Sequence, residues 1–269
     1  MASHESFEVS FLGTRGSAPC LLPTHQWLGG ETSCVELRID EQRLLLDAGT
    51  GLRKAAPSGS SDYIVLSHLH IDHLLGLADF AARKIQGELF IVSQLATTAN
   101  ELEDLVGRIY GPPGYPVSIG QIYPGVIYQP LAQFDQDRLG PIELAPITLN
   151  HPGASFGTRV TDSRTGKAVA YLSDHEHGSH QDKEIERQCK GVDLMIWDAS
   201  YDDRYFEKYI GWGHSTWQQG LAMGQRCRAK AVALTHHDIT RSDDTARQLM
   251  GEIKGTIGFF TRDDMTIVL

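Results

Sequence analysis

A run of seven residues holds three histidines and one aspartate between a predicted strand and a predicted helix. The run is Ser67-His68-Leu69-His70-Ile71-Asp72-His73. At 12 His and 34 acidic residues in 269, such a pattern at fixed offsets should arise by chance about 0.003 times per chain. Alternate residues of an extended segment point the same way, so His68 and His70 share a side, and the turn into the helix lets Asp72 and His73 reach a second position. Imidazole and carboxylate donors without thiolate suit zinc, manganese or iron. The alternative is a surface histidine cluster in which Asp72 caps the helix.

Three further candidate ligands share one feature, that each follows an apolar run. They are His151 after residues 142–149, Asp174 after 168–172 and His236 after 231–234. Each alone is more often a structural or surface residue, but all of them would lie at one edge of the fold. His237 is a rival to His236, since neighbouring residues on a strand point apart and only one can serve.

The apolar runs predict strands in two batches. The predicted strands are 7–12, 35–39, 44–46, 63–66 and 89–92, then 142–149, 158–160, 168–172, 194–197, 231–234 and 265–269; the predicted helices are 74–84, 101–109, 182–189, 216–227 and 243–254. Two sheets packed back to back with helices outside would satisfy this order. No linker divides the chain, which predicts a single domain over residues 1–269.

Composition excludes several classes of protein. The formal charge of −10 argues against a non-specific grip on nucleic acid, which needs a basic surface. No run of 18 apolar residues exists, so we expect no membrane span. The start, residues 1–6, has neither a basic nor an apolar leader region, which predicts a cytoplasmic protein. The four cysteines lie far apart without a C-x-x-C pair, which excludes a thiol-rich zinc site.

The ligand pattern resembles that of the metallo-β-lactamase superfamily. Its His-x-His-x-Asp-His signature is the 68–73 run, and Asp47-Ala48-Gly49-Thr50-Gly51 matches its first motif. The resemblance implies an α/β fold, an αββα four-layer sandwich of two mixed β-sheets with helices on the outer faces. It also implies two divalent metal ions, with zinc favoured over manganese or iron. One ion would be held by His68, His70 and His151, the other by Asp72, His73 and His236, with Asp174 bridging both. The family places its last ligand first after the apolar strand, which favours His236 over His237.

A second motif narrows the branch of the superfamily. No cysteine lies at a ligand position, unlike in the lactamases that use one. The second ligand is His70 rather than Glu, which counts against the diiron flavoprotein branch. The run Trp212-Gly213-His214-Ser215-Thr216 resembles the phosphodiesterase branch, which includes tRNase Z. By that resemblance Asp198 orients His214, and His214, Asp198 and Asp72 are the catalytic residues. A histidinium held by a carboxylate can protonate a departing alkoxide. The alternative is that His214 caps a helix and Asp198 forms a turn.

Candidate substrate contacts rest on weaker patterns. Ser215 and Thr216 open a predicted helix whose N–H groups could bind phosphate. Arg15 and Ser17 lie in a Gly-flanked loop after the first strand and could also contact it.

Two aromatic segments leave their roles open. The segment Gly111–Pro130 is either a lid, with Tyr115 or Tyr123 stacking on a nucleobase, or a packed surface loop, which the sequence favours. Aromatic residues also recur every three or four positions from Tyr201 to Trp212, which predicts a helix face against the core or a partner.

These observations predict a dinuclear metal-dependent hydrolase, with a phosphodiesterase favoured. Only 23 positions separate His151 from Asp174, which leaves no room there for the arm with which many tRNase Z enzymes grip tRNA. We therefore expect a small cyclic nucleotide or another small phosphodiester as substrate, without strong nucleic-acid binding. Relatives in this branch often form homodimers, so the resemblance implies that this chain could form one too. The alternatives are hydrolysis of a carboxylic ester, lactone or thioester, tRNA 3′ processing, and a non-enzymatic metal-binding module.

Overall fold

The computed structural model describes residues 6–84 and 86–269. The expectation of no leader segment rests mainly on residues 1–5, which lie outside the described residues. Within the described part, no helix is long and apolar enough to cross a membrane.

The described strands form two mixed sheets. The first contains, in spatial order, β13 (Met265–Val268), β1 (Phe7–Gly13), β2 (Cys34–Ile39), β3 (Gln42–Leu46), β4 (Asp62–Leu66), β5 (Leu89–Ser93) and β6 (Val126–Pro130). The second contains β12 (Gly258–Phe260), β11 (Ala231–Thr235), β10 (Leu194–Asp198), β9 (Ala168–Leu172), β8 (Ser155–Asp162) and β7 (Ile142–Leu149). β3 to β6 are parallel to one another, as are β9 to β12, and the remaining pairs are antiparallel.

The helices cover the outer faces of both sheets. Helices α1 (Leu77–Arg83), α2 (Ala99–Gly107) and α3 (Ile119–Ile122) pack on the first sheet, and α4 (Gln181–Gln188), α5 (Trp217–Cys227) and α6 (Asp243–Glu252) on the second. Strand alternation divides the apolar residues between layers. Leu44 and Leu46 enter the core between the sheets, whereas Leu45 joins the cluster under the first group of helices. The predicted four-layer order is confirmed.

Most predicted elements lie within a few residues of their predicted bounds. β7 and β9 agree with the predicted bounds at both ends, while the predicted helix at 74–84 begins as a short 3₁₀ turn, Ile71–His73, followed by α1. The sequence did not indicate β6, α3 or β12. β6 lies within Gly111–Pro130 and pairs with β5, so this part of the segment belongs to the sheet.

Parallel strand direction brings the candidate ligands to one edge. His68 follows β4, His151 follows β7, Asp174 follows β9 and His236 follows β11. Because these strands point the same way within their sheets, their carboxyl ends place the four side chains in a common cleft. The single-domain assignment stays a prediction.

Candidate metal centre

Seven side chains converge into two overlapping groups of potential ligand atoms. His68, His70, His151 and Asp174 form one group, and Asp72, His73, Asp174 and His236 form the other; the ligand atoms within each group lie within 4.8 Å of one another. Asp174 belongs to both. Its Oδ1 lies 3.1 Å from Nε2 of His73 and 3.1 Å from Nε2 of His236, and its Oδ2 lies 3.5 Å from Nε2 of His68. The structure therefore brings together the whole ligand set that the sequence indicated.

Several of these residues occupy a backbone region that L-residues seldom adopt. Asp174 has a φ of 58° and His236 a φ of 57°, and Asp47, beneath the cluster, has a φ of 61°. Left-handed backbone at a non-glycine residue costs free energy and persists where the surroundings hold it. Here the turn after each strand aims the side chain back into the cleft.

The hydrogen bonds on the outer ring nitrogens show that the histidines suit metal ions. Nδ1 of His73 donates to Asp47 Oδ2 at 2.7 Å, and Nδ1 of His151 donates to the Gly213 carbonyl at 2.8 Å. With Nδ1 protonated, Nε2 carries a lone pair turned into the cluster.

Two serines fix the same tautomer in the other buried histidines. Ser67 Oγ donates to Asp47, so it accepts from Nδ1 of His68. Ser200 Oγ donates to Asp198 and accepts from Nδ1 of His236 in the same way. Among the described residues, Nε2 of His68 has no hydrogen-bond partner although it is buried. A buried, unpartnered acceptor costs free energy, which a bound cation would remove.

Asp47 connects several residues beneath this cluster through hydrogen bonds. Its carboxylate accepts hydrogen bonds from Ser67 N–H and Oγ–H, from His73 and from the hydroxyl of Tyr171 at 2.7 Å. Sequence reasoning assigned Asp47 only to a family motif. Tyr171 carried no signal in the sequence beyond its place in a strand.

The electrostatics follow burial and the mixed charges. Burial lowers the pKa of His68, His70 and His151, which favours the neutral ring that binds metal. Burial also opposes the charged form of His73, but the carboxylates of Asp174, Asp72 and Asp47 outweigh it and raise the pKa.

His214 lies beside the ligands, held by Asp198. Nδ1 of His214 is 2.7 Å from Asp198 Oδ2 and 3.9 Å from Asp174 Oδ2. Burial opposes its protonation, yet the Asp198 carboxylate, helped by Asp174 and Asp72, raises the pKa of His214 to about 9. Ser17, His70, Ile71, Asp72, Asp174 and His214 line a cavity of about 250 Å³. The predicted pair therefore faces the same cleft as the candidate ligands.

A glutamate that sequence reasoning missed holds the loop before His214. The carboxylate of Glu176 accepts from Gly211 N–H and Gly213 N–H, each at 2.8 Å. Gly213 has a φ of +87°, and a Cβ there would lie 2.1 Å from Nδ1 of His151. Only glycine allows this close approach, so the loop supports both His151 and His214.

The predicted phosphate contact by Arg15 is wrong. Its guanidinium is buried and donates to four backbone carbonyls, those of His25, Gly29, Asp238 and Arg241. It cross-links segments distant in sequence, and four of its five N–H groups donate to these carbonyls inside the protein. Ser17, by contrast, is exposed at the cleft, where its backbone N–H donates to Asp72 Oδ2 at 2.7 Å; its contact with substrate stays a prediction.

The hydroxyls of Ser215 and Thr216 are engaged within the protein, and phosphate binding by these residues stays a prediction. Ser215 is buried, donates to the His175 carbonyl and accepts from His177 N–H. Thr216 caps α5 in a reciprocal capping box with Gln219. Hydrogen bonds within the protein therefore occupy both hydroxyls and the N–H groups of Thr216 and Gln219.

The remaining histidine candidates lie outside the two groups. Nε2 of His237 contacts the Thr261 carbonyl at 2.9 Å, so His236 is the residue in the cluster. His175 accepts at Nδ1 from Asn150 N–H, which leaves its Nε2–H to donate to Asp182. The hydroxyl of Tyr123 donates to the Gly87 carbonyl near the amino end of β5, away from the cleft. The expected stacking of Tyr123 on a nucleobase is therefore wrong.

The sequence model described as the β-lactamase superfamily domain matches residues 42–237, which span the motif at Asp47 and every candidate ligand. The chain belongs to this superfamily. It is a hydrolase of metallo-β-lactamase fold, as the sequence predicted.

A relative agrees with the superfamily assignment, and solved structures agree with the fold. Ribonuclease Z of Halobacterium salinarum is 26% identical over 286 aligned positions, covering 86% of this chain and 87% of that protein. The short form of human tRNase Z superposes with a TM-score of 0.66 at 24% identity, covering 97% of this chain and 98% of that one. A diphosphatase from the PhnP family superposes with a TM-score of 0.71 at 17% identity, covering 98% and 97%.

Proposed function

We propose that the protein is a metal-dependent phosphodiesterase that acts on a small cyclic nucleotide or another small phosphodiester. The observation that carries the proposal is His214, held at 2.7 Å by buried Asp198 and facing the cleft beside Asp174. Its Nδ1 is engaged by Asp198, so Nε2 is the atom free to deliver a proton. A pair of this kind can protonate the alkoxide that leaves phosphorus. The leaving alkoxide of a carboxylic ester needs a proton as well, so the substrate panel below separates the two classes.

The residues that would hold two divalent cations are the seven of the two ligand groups, with Asp174 common to both. When bound, such cations supply a nucleophile at neutral pH by lowering the pKa of water, and they neutralise charge on the phosphate. Nitrogen and oxygen donors without thiolate favour zinc, with manganese or iron as alternatives.

The chain's own residues supply positioning and proton transfer. Asp198 keeps His214 in one tautomer and stabilises its charged form. Ser200 forms hydrogen bonds with both Asp198 and His236, so it connects the Asp198–His214 pair to the candidate metal ligands. His214 then gives its Nε2 proton to the departing oxygen, and Asp198 retains the ring in place for the next cycle.

RNA 3′ processing is the second candidate, because relatives matched over most of the chain are named ribonuclease Z. Two observations favour a small substrate instead. The chain carries a formal charge of −10. Between His151 and Asp174 the structure has only β8, a turn and β9, with no protruding arm.

Substrate panels on the metal-reconstituted protein test the proposal. The panel contains bis(p-nitrophenyl) phosphate, 2′,3′- and 3′,5′-cyclic nucleotides, p-nitrophenyl acetate, a lactone, a β-lactam and a precursor tRNA with a 3′ trailer. We expect turnover of the diesters, with kcat/KM well above that for the carboxylic substrates. A kcat/KM for precursor tRNA far above that of every small diester would establish RNA processing instead. Metal-loaded, folded protein without any turnover would support a binding module.

A further inference from the structure

An exposed aromatic side chain lies in the loop that leads to His214 and has no role in the chemistry above. Trp212 is 59% exposed and only Gly213 separates it from His214. The helix face predicted for the aromatic residues from Tyr201 to Trp212 is wrong. Only a short 3₁₀ turn, Phe206–Tyr209, forms there, and Trp212 projects from the loop that follows.

The loop is exposed but well held. Both neighbours of Trp212 donate their N–H groups to the carboxylate of Glu176, and the N–H of Trp212 itself donates to the Tyr209 carbonyl at 3.0 Å. A large apolar surface kept rigid in water costs free energy, so a loop built this way suits a ligand that covers the indole.

An aromatic stack connects Trp212 with the cleft. Its ring meets that of Tyr209 edge-on, with centroids 5.5 Å apart. Tyr209 stacks on Tyr201 at 4.1 Å and 9°, and Tyr201 meets the ring of His214 at 5.9 Å. The position of the indole is therefore coupled to that of His214 by direct packing.

We propose that Trp212 is a stacking platform for the nucleobase of the substrate, which makes the substrate class a nucleotide diester. This inference rests on the phosphodiesterase function proposed above. Trp212 precedes His214 by two residues and is linked to it through Tyr209 and Tyr201, which places an exposed indole within the loop that carries His214, where it can meet a base whose phosphate lies beside that ring. Stacking on an indole does not depend on charge and accepts any base, which suits an acidic protein whose cleft-lining residues include no Lys or Arg.

Competitive inhibition by two matched ligands tests the platform. Adenosine 5′-monophosphate and ribose 5-phosphate share sugar and phosphate, and only the first carries a base. The reporter is turnover of bis(p-nitrophenyl) phosphate by the metal-loaded protein. The variants are Trp212→Ala, Trp212→Phe and, as control, Ile210→Ala, whose side chain is 63% exposed on the same segment.

For Trp212→Ala we expect the inhibition constant of the adenosine nucleotide to rise about tenfold, while that of ribose 5-phosphate stays unchanged. Trp212→Phe should restore most of the difference, and Ile210→Ala should behave as the parent protein. An unchanged ratio of the two constants in Trp212→Ala overturns the platform. If that variant instead converts a dimer to a monomer in sedimentation with the ratio unchanged, Trp212 is a contact between copies of the chain.

Failure of the proposed function has a different signature. If the parent protein hydrolyses no phosphodiester, equilibrium dialysis of radiolabelled adenosine 5′-monophosphate against the metal-loaded protein replaces inhibition. Base-dependent binding that Trp212→Ala loses and Trp212→Phe keeps would support the platform alone. Binding that is the same in all three proteins would overturn it.

Discussion

The carboxylate of Asp47 lies 2.7 Å from Nδ1 of His73, and both side chains are fully buried. The contact fixes the His73 ring so that Nε2 points at Asp72 and Asp174, at 3.3 and 3.1 Å. Asp47 has no place in either ligand group, yet it determines how one ligand is presented.

Asp47→Asn should therefore weaken metal binding while all seven candidate ligands remain. An amide cannot give His73, Ser67 and Tyr171 the acceptors that the carboxylate provides. Loss of such an orienting carboxylate typically costs about 10–100-fold in metal affinity. Chelator competition measures it. Tyr171→Phe, which removes one donor to the same carboxylate, is the matched control with a smaller expected loss, and equal affinities in all three proteins would refute the role of Asp47.

The two ligand groups should be separable by metal content. His151 belongs to one group and His236 to the other, whereas Asp174 belongs to both. We expect His151→Ala and His236→Ala each to retain about half of the parent metal content, and Asp174→Asn to lower the affinity of both positions. Elemental analysis after dialysis gives the count, and His237→Ala, outside both groups, should keep the parent value. Loss of both ions from either single-site variant would show that the groups are not independent.

His214→Ala should slow turnover while leaving the metal content unchanged. A general acid contributes about 10²–10⁴-fold when the leaving group is an alkoxide. With bis(p-nitrophenyl) phosphate the leaving phenolate needs little protonation, so the loss there should be much smaller. The measurement is kcat for a cyclic nucleotide and for the aryl diester in the same preparation. An equal loss on both substrates would assign His214 to binding, and no loss on either would remove it from the chemistry.

The sequence indicated the ligand set because its signals are local. His68 to His73 lie in one run, and the later ligands each follow an apolar run that the sequence identifies as a strand. The family resemblance joined these positions into one ligand set, and the parallel strands of the structure bring them together. The pairing of Asp198 with His214 came from a motif of the same kind.

Arg15 and Glu176 show why the rest was out of reach. A glycine-flanked arginine after a strand is equally suited to phosphate or to backbone carbonyls, and only tertiary structure brings the carbonyls of Asp238 and Arg241 to it. Glu176 contacts Gly211 and Gly213 across 35 and 37 positions. Such contacts depend on loop conformations that no periodicity predicts.

Glu176→Ala should loosen the loop that carries Gly213 and His214. The carbonyl of Gly213 accepts from His151, so we expect weaker binding at the His151 group and a lower kcat, each by about 10-fold, the scale of one or two hydrogen bonds to a charged group. Glu176→Gln keeps one acceptor and should fall between. Glu184→Gln, on the surface of α4, is the matched control. A fall in thermal stability with metal affinity and kcat unchanged would make Glu176 purely structural.

Lys84 and Asp62 form a buried ion pair at the opposite edge of the first sheet. Their charged atoms are 2.8 Å apart, and neither side chain is exposed. Asp62 also pairs with Arg43, so Lys84→Met would remove one of its two cationic partners. We expect this to cost about 1.5–3 kcal/mol of the free energy of unfolding, the scale of a hydrogen bond to a charged group. Lys230→Met removes the partner of Asp193 where the lysine is 73% exposed, and should cost at most about 1 kcal/mol.

Urea unfolding of both variants measures these costs, with metal content and turnover recorded on the same samples. Asp62 begins β4, whereas His68 follows its end, so the ion pair lies a strand's length from the cleft. Folded Lys84→Met should therefore keep the parent metal content and kcat. Similar losses of stability in the two variants would show that burial adds nothing at Lys84. A selective loss of metal in Lys84→Met would instead mean that β4 transmits a change at its amino end to the ligands beyond its carboxyl end.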